Sequence, residues 1–138
     1  MLNEFSRSEL LLGEDKVSLL KHKRVAVFGV GGVGGYVVEG LARTGVGCLD
    51  LIDNDTVSLT NINRQIIALH STIGKDKVEV MRDRVLDINP NCKVNIHKTF
   101  YLPETAGEFD FREYDYIVDA IDTVAGKLML IEEAKRCG

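Results

Sequence analysis

Arg24-Val25-Ala26-Val27-Phe28-Gly29-Val30-Gly31-Gly32-Val33-Gly34-Gly35 is the stretch that decides how this chain folds. Residues 25–28 are apolar without alternation, as in a strand buried on both faces of a parallel sheet. The glycines end that strand. Beyond them Val33, Val37 and Leu41 recur at helical spacing with Glu39 and Arg43 on another face, so a helix follows at once and closes at residues 45–47. Cys48-Leu49-Asp50-Leu51-Ile52 then reads as a second strand ending at Asp53. The result is a strand, helix, strand unit of about 30 residues.

Outward from this unit the alternation continues. Residues 75–89 carry Val78, Met81, Val85 and Ile88 on one helical face and stop at Pro90. Residues 93–99 alternate like a third strand, 103–111 suggest a short helix, and 114–120 a fourth strand. Val124, Leu128 and Ile131 mark the inward face expected of a last helix. The fold expected is α/β: a Rossmann-like, doubly wound, mainly parallel sheet with helices on both faces and strand order 3-2-1-4. Residues 1–138 read as one nucleotide-binding unit. The last helix has no strand after it, so the sequence reads as truncated, with a carboxyl-terminal half absent.

Composition narrows the function. With 45% hydrophobic and 28% charged residues the chain is ordinary for a globular protein, and its net charge of -4 disfavours nucleic-acid binding by bulk electrostatics. Its apolar runs are too short to span a bilayer. Asn3, Glu4, Arg7 and Glu9 stand where a signal peptide would be apolar, which predicts a cytoplasmic protein with no membrane partner. Cys48, Cys92 and Cys137 are distant from one another and lack CxxC spacing, so buried or bland thiols are expected rather than disulfides or zinc. The basic run Lys21, Lys23 and Arg24 reads as a solvated connection.

Gly29, Gly31, Gly32 and Gly34 contain a GxGxxG between strand and helix, where backbone amides and a helix N-terminus can approach phosphates. Asp53, at the end of the next strand, can accept from ribose hydroxyls. This predicts an adenine nucleotide and leaves its kind open; Gly35 and Gly40 are assigned to packing. The next segment favours ATP over a nicotinamide. Residues 53–65 supply two carboxylates, asparagines and Arg64 just beyond the strand, and Lys77 opens the next helix. Arg64 and Lys77 can neutralise a triphosphate while a carboxylate holds its magnesium. Each has a plainer competitor: a surface salt bridge for Arg64, a solvated helix flank for Lys77, and a helix N-cap for Asp122. Asp119 is expected to be structural, Tyr36 to be packing, and His22, His70 and His97 to be ordinary surface or loop residues.

GxGGxG, DxDxVxxxNxNRQ, GKxKVEVM and DAIDT, in this order and spacing, resemble the adenylating domain of the ubiquitin-activating-like superfamily of ThiF, MoeB and HesA. The resemblance implies that Asp53 binds ribose, that Asn61, Arg64 and Lys77 contact phosphates, and that Asp122 holds a catalytic Mg2+. It also implies that Asp55 and Gln65 shape the site. Arg7 resembles the arginine that reaches into the other subunit's ATP site in the family's homodimers. Residues 59–69, 79–81 and 88–92 are similar to the tRNA threonylcarbamoyladenosine dehydratase branch. That branch implies ATP-dependent adenylation of the threonyl carboxylate on a tRNA held through the missing half, ring closure by the carbamoyl oxygen, release of AMP and pyrophosphate, and sulfur-transfer proteins as possible partners. A sulfur-carrier adenylyltransferase of the ThiF or MoeB type is the nearest alternative. An NAD-binding oxidoreductase and a non-catalytic dimeric scaffold stand further off. Residues 1–138 alone, with only one wall of the crevice, are expected not to complete the reaction.

Overall fold

In a computed structural model, which describes residues 2–138, two short helices lead into the sheet: α1 (Ser6–Leu12) and α2 (Glu14–Leu20). Their seven-residue lengths are too short to show a helical period, and Gly13, at φ 91°, makes the corner between them. The chain then runs β1 (Arg24–Phe28), α3 (Gly34–Thr44), β2 (Cys48–Ile52), α4 (Lys77–Ile88), β3 (Lys93–His97), β4 (Tyr116–Asp119) and α5 (Val124–Cys137). All three strand pairings of the sheet are parallel and the order is β3-β2-β1-β4, as the sequence predicts.

Alternation along the strands divides the core into two layers. Val25, Val27, Leu49 and Leu51 face Val38, Ala42, Val78, Met81 and Val85 of α3 and α4. Ala26, Phe28 and Ile52 face Leu130 of α5 and the aromatic residues Tyr101, Phe109 and Phe111. Phe28 centres that second layer, with ring centroids 5.2 Å from Tyr101 and 5.5 Å from Phe109 at edge-on angles. The helix expected at 103–111 is instead two single 3-10 turns, Ala106–Glu108 and Phe111–Glu113. Their purpose is to deliver these rings to the sheet.

Helical faces differ from expectation in two places. On α5, Val124, Leu128 and Ile131 are exposed, and the sheet-facing side is Gly126 and Leu130 with Met129, Ala134 and Cys137 beside them. Gly126 sets this rotation: a Cβ there would lie 3.2 Å from Ile121 Cγ2, so the helix rests on its smallest residue. On α3 the fully buried residues are Gly34, Gly35, Val38 and Ala42; Val37 and Leu41 pack partly buried against the same core as expected, while Val33, just before the helix, is exposed. Tyr36 is 56% exposed and does not pack. Gly35 does, with Ile66 Cγ2 3.3 Å from where its Cβ would stand; Gly40 has nothing within 4 Å, so a packing role for it fails.

The basic run before β1 is not merely solvated. Arg24 clamps the fully buried Asp50 with Nε–Oδ2 2.8 Å and Nη2–Oδ1 2.9 Å, and its guanidinium lies 5.2 Å from the Tyr114 ring centroid. His97, expected to be an ordinary surface residue, completes the clamp with Nε2 3.2 Å from Asp50 Oδ1. Burial alone pushes the Asp50 carboxyl up, but the hydrogen bonds from Arg24 and His97 and the Arg24 charge outweigh it and hold the group at about 2. Asp50→Asn breaks a buried pair and is expected to destabilise the fold by about 2–4 kcal/mol at neutral pH. Because the folded pKa lies below the ordinary 3.8, the gap between wild type and variant persists above pH 3.8 and disappears as pH falls through about 2. Denaturant melts across this range test it, and a gap that grows on acidification contradicts it.

Candidate nucleotide site

β1 ends in a turn that only glycine can make. Gly29 has φ 98°, and a Cβ on it would collide with the Ala120 carbonyl at the end of β4; a Cβ on Gly34 would collide with the Gly29 carbonyl. Gly31 and Gly32 are different. A Cβ on either would come no closer than 3.5 Å to Gln65 Nε2 or 3.8 Å to Arg64 Cγ, so the protein itself does not require glycine there. Their bareness opens the backbone to something outside the chain. Among the described residues, no backbone or side-chain acceptor takes the amides of Gly31, Gly32, Val33 or Gly34. α3 also has no side-chain cap. Consecutive unpaired amides at a helix N-terminus form an anion-binding nest.

Asp53 braces the loop, its Oδ2 accepting from Val30 N and its Oδ1 from Asp55 N, both at 2.8 Å. Each oxygen keeps a lone pair for a further donor. In the following 3-10 turn, Leu59–Asn61, buried Asn61 accepts from Ser58 N at 2.9 Å in a capping box, which leaves its NH2 free. Arg64 stands over Gly32, its Nη1 donating to Thr60 O at 3.1 Å and Asn63 Oδ1 at 2.9 Å. No carboxylate pairs with it among the described residues, so the salt-bridge alternative falls. Gln65, 8% exposed, leaves Oε1 buried without a partner. Its Nε2 lies 3.5 Å from where a Gly31 Cβ would stand.

Lys77 corrects the other alternative, because it is not a solvated flank. It is 5% exposed, and its ammonium is 3.8 Å from Asp55 Oδ2, too long for a hydrogen bond. An antiparallel bridge between Thr56 and Asp76, with Lys77 N on Asp55 O at 3.1 Å, fixes it there. A buried ammonium so weakly compensated is costly unless an anion joins it. The neighbouring Asp76 turns away to Lys98, at 2.7 Å.

Beyond β4, Asp119 is structural as expected, accepting from Ile121 N at 3.1 Å and pairing with Lys127 at 3.2 Å. The N-cap of α5 is Thr123, whose Oγ1 accepts from Gly126 N at 3.3 Å; Asp122 is not the cap. Asp122 is exposed and its carboxylate makes no hydrogen bond or ion pair among the described residues. No cluster of three or more His, Cys, Asp or Glu suited to a metal occurs among them either, so any metal here would rest on at most two such side chains plus ligand oxygens. Arg7 is not brought to this edge. Phe5, the residue just before α1, places its ring 3.2 Å from the position of a Gly45 Cβ at the far end of α3, an 11-residue helix of roughly 16 Å.

The glycine loop is an open shelf. Cavities of about 390, 440 and 780 Å³ lie elsewhere, at Phe5 and Arg84, at Leu41 and Val118, and at Tyr101 and Arg136. The chemistry nevertheless converges on the shelf, where amides, Arg64 and Lys77 meet two carboxylates. All three cysteines are free, and burial raises each thiol, Cys92 to about 11. No helix among the described residues is long and apolar enough to cross a membrane.

The chain is 49% identical over 133 residues to a tRNA threonylcarbamoyladenosine dehydratase of Bacillus subtilis (strain 168), covering 96% of this chain and 52% of that protein. It is 35% identical over 127 residues to the probable adenylyltransferase/sulfurtransferase MoeZ of Mycobacterium tuberculosis, covering 92% of this chain and 32% of that one. The crystal structure of the E. coli dehydratase TcdA in complex with ATP superposes with a TM-score of 0.93 at 41% identity, over 96% of this chain and 55% of that one. This chain thus spans about half the length of the bacterial dehydratases it matches. The ThiF family model matches residues 5–137, and with strand order, glycine loop and basic shelf all in agreement, the chain belongs to the ThiF family.

Proposed function

We propose that this chain is the ATP-binding portion of an enzyme that adenylates a carboxylate, the substrate being the threonylcarbamoyl group on tRNA. The observation that carries the reading is the unpaired amides of residues 31–34 beside a shelf that holds Lys77, a buried ammonium whose ion pair among the described residues is a long one, 3.8 Å to Asp55. A triphosphate satisfies both. The dehydratase resemblance supplies the substrate, and the TcdA–ATP complex supports the nucleotide.

In this mechanism Asp53 takes the ribose hydroxyls on its remaining lone pairs, and the residue 31–34 amides, Asn61, Arg64 and Lys77 hold the phosphates. Asp55 and Gln65 complete the shelf. The exposed Asp122 carboxylate, a hard oxygen donor at the same sheet edge, suits Mg2+, which when bound neutralises charge on the phosphates. The threonyl carboxylate oxygen attacks the α-phosphorus and pyrophosphate leaves, its charge stabilised by Arg64 and Lys77. AMP is then a good leaving group, and the carbamoyl oxygen closes the ring. No thiol takes part. The enzyme works in the cytoplasm as a homodimer, with Arg7 entering its partner's site, since α1 lies at the wrong end of α3 for its own.

Three outcomes are expected of the full-length protein. It releases AMP from ATP in the presence of tRNA bearing threonylcarbamoyladenosine and not with a sulfur-carrier protein; the reverse preference assigns it to the ThiF or MoeB type. Asp122→Asn keeps the wild-type melting temperature, because Thr123 is the cap, yet lowers turnover roughly a hundredfold or more through loss of the anionic metal ligand; lost stability with unchanged turnover per folded molecule contradicts the metal role. Mixing Arg7→Ala with Arg64→Ala subunits restores activity through one intact site per heterodimer. No recovery despite subunit exchange means that Arg7 does not act across the interface.

A further inference from the structure

Asp53 owes its place to the strand beside it. Among the described residues its backbone makes one hydrogen bond, from its N–H to His97 O at 3.2 Å, while its carboxylate accepts from Val30 N and Asp55 N. The lone pairs left for a ligand therefore point wherever the end of β3 directs them. That end is open to fraying, because β3 lies at the edge of the sheet with β2 on one side only, and His97 is its last residue.

The His97 side chain holds it. Nε2 is 3.2 Å from Asp50 Oδ1, and the ring stands edge-on to Phe109 with centroids 5.2 Å apart. Asp50 stays ionised far into the acid range, and a carboxylate only accepts, so Nε2 carries the hydrogen and donates. Asp50 is itself immobile, fully buried with both oxygens on the Arg24 guanidinium. A run of bonds thus leads from Arg24 at the start of β1, through Asp50 on β2, to His97 at the end of β3, and from the His97 carbonyl back to Asp53. The next tie along the chain, Lys98 to Asp76, is half exposed on the lysine side and holds less firmly.

We infer that His97 is a positioning residue for ribose recognition: its side chain, anchored on Asp50, fixes the carbonyl that orients Asp53. The inference rests on the reading of Asp53 as the ribose ligand and deepens it. His97 touches no nucleotide in this account. It acts through one backbone bond, and that bond is the one that sets the main chain of the residue meant to meet the sugar. A buried ion pair gains little stability over apolar residues of the same volume. What the Arg24–Asp50 pair supplies here is a rigid acceptor, inside the sheet, for the side chain of an edge-strand residue.

The test uses the full-length protein as wild type, His97→Leu and His97→Gln, titrated with magnesium ATP and with dideoxy-ATP, which lacks both ribose hydroxyls, with melting temperatures alongside. Wild type is expected to bind ATP roughly tenfold or more tightly than the analogue, through hydroxyl bonds to the Asp53 carboxylate. His97→Leu keeps bulk and removes the donor. It is expected to cut that ratio to roughly threefold or less, by weakening ATP and leaving the analogue unchanged. His97→Gln, whose amide can reach Asp50, restores the ratio. Because the ratio is read on folded protein, a loss of stability alone does not move it. If wild type does not discriminate between the two nucleotides, the reading of Asp53 fails and this inference with it. If wild type discriminates and His97→Leu keeps the full ratio, whether by no loss or by equal loss for both nucleotides, His97 only stabilises the strand and the inference is overturned. A glutamine that fails to restore a lost ratio shows that the bond to Asp50 is not what acts, which overturns it as well.

Discussion

The turn at Gly29 is the constraint on which the rest depends. It lies between two strand ends, donating its amide to Ile52 O at 2.8 Å while Phe28 O accepts from Ala120 N at 2.8 Å. At φ 98° with the Ala120 carbonyl against it, no side chain fits. Gly34 must then pass directly over the Gly29 carbonyl, and the short arc between them leaves its amides with no acceptor among the described residues. Val30 is the exception, because Asp53 takes its amide and ties the loop to the end of β2. From that one turn follow the direction of α3, the unpaired amides and the place of Asp53 beside them.

Much of this fold is legible because parallel strands buried on both faces leave unbroken apolar runs, and residues 25–28 could be little else. Helical faces are less legible. α5 carries two apolar stripes, Val124, Leu128 and Ile131 on one side and Leu130, Ala134 and Cys137 on another, and periodicity gives them equal weight. Gly126 decides between them by letting the helix approach Ile121, a tertiary fact invisible in a helical period. Asp50 is hidden for a similar reason. A carboxylate inside an apolar strand looks like an ordinary alternation until Arg24 and His97, from two other strands, are seen to meet it.

At the candidate site, residue types were readable and their environments were not. Gly31, Gly32, Asp53, Arg64 and Lys77 stand out by type and spacing. That Lys77 is buried, that Asp122 is left free because Thr123 takes the cap, and that Gln65 keeps an orphaned oxygen depend on how residues 53–77 fold back over the loop. These are also the features with the greatest chemical consequence. A buried, poorly paired ammonium is strained toward anion binding in a way that a solvated lysine is not. Tyr36 is the converse, an aromatic that sequence alone assigns to packing and that the structure leaves bare.

The central claim is that the shelf is built for a triphosphate rather than for a dinucleotide. Calorimetric titration of the full-length protein, wild type and Lys77→Ala, with magnesium ATP and separately with NAD addresses it most directly. The account predicts that ATP binds wild type more tightly than NAD, and that removing the buried ammonium weakens ATP by about 1.5–3 kcal/mol while leaving any NAD binding little changed. Tighter binding of NAD, or an ATP affinity indifferent to Lys77, would contradict it.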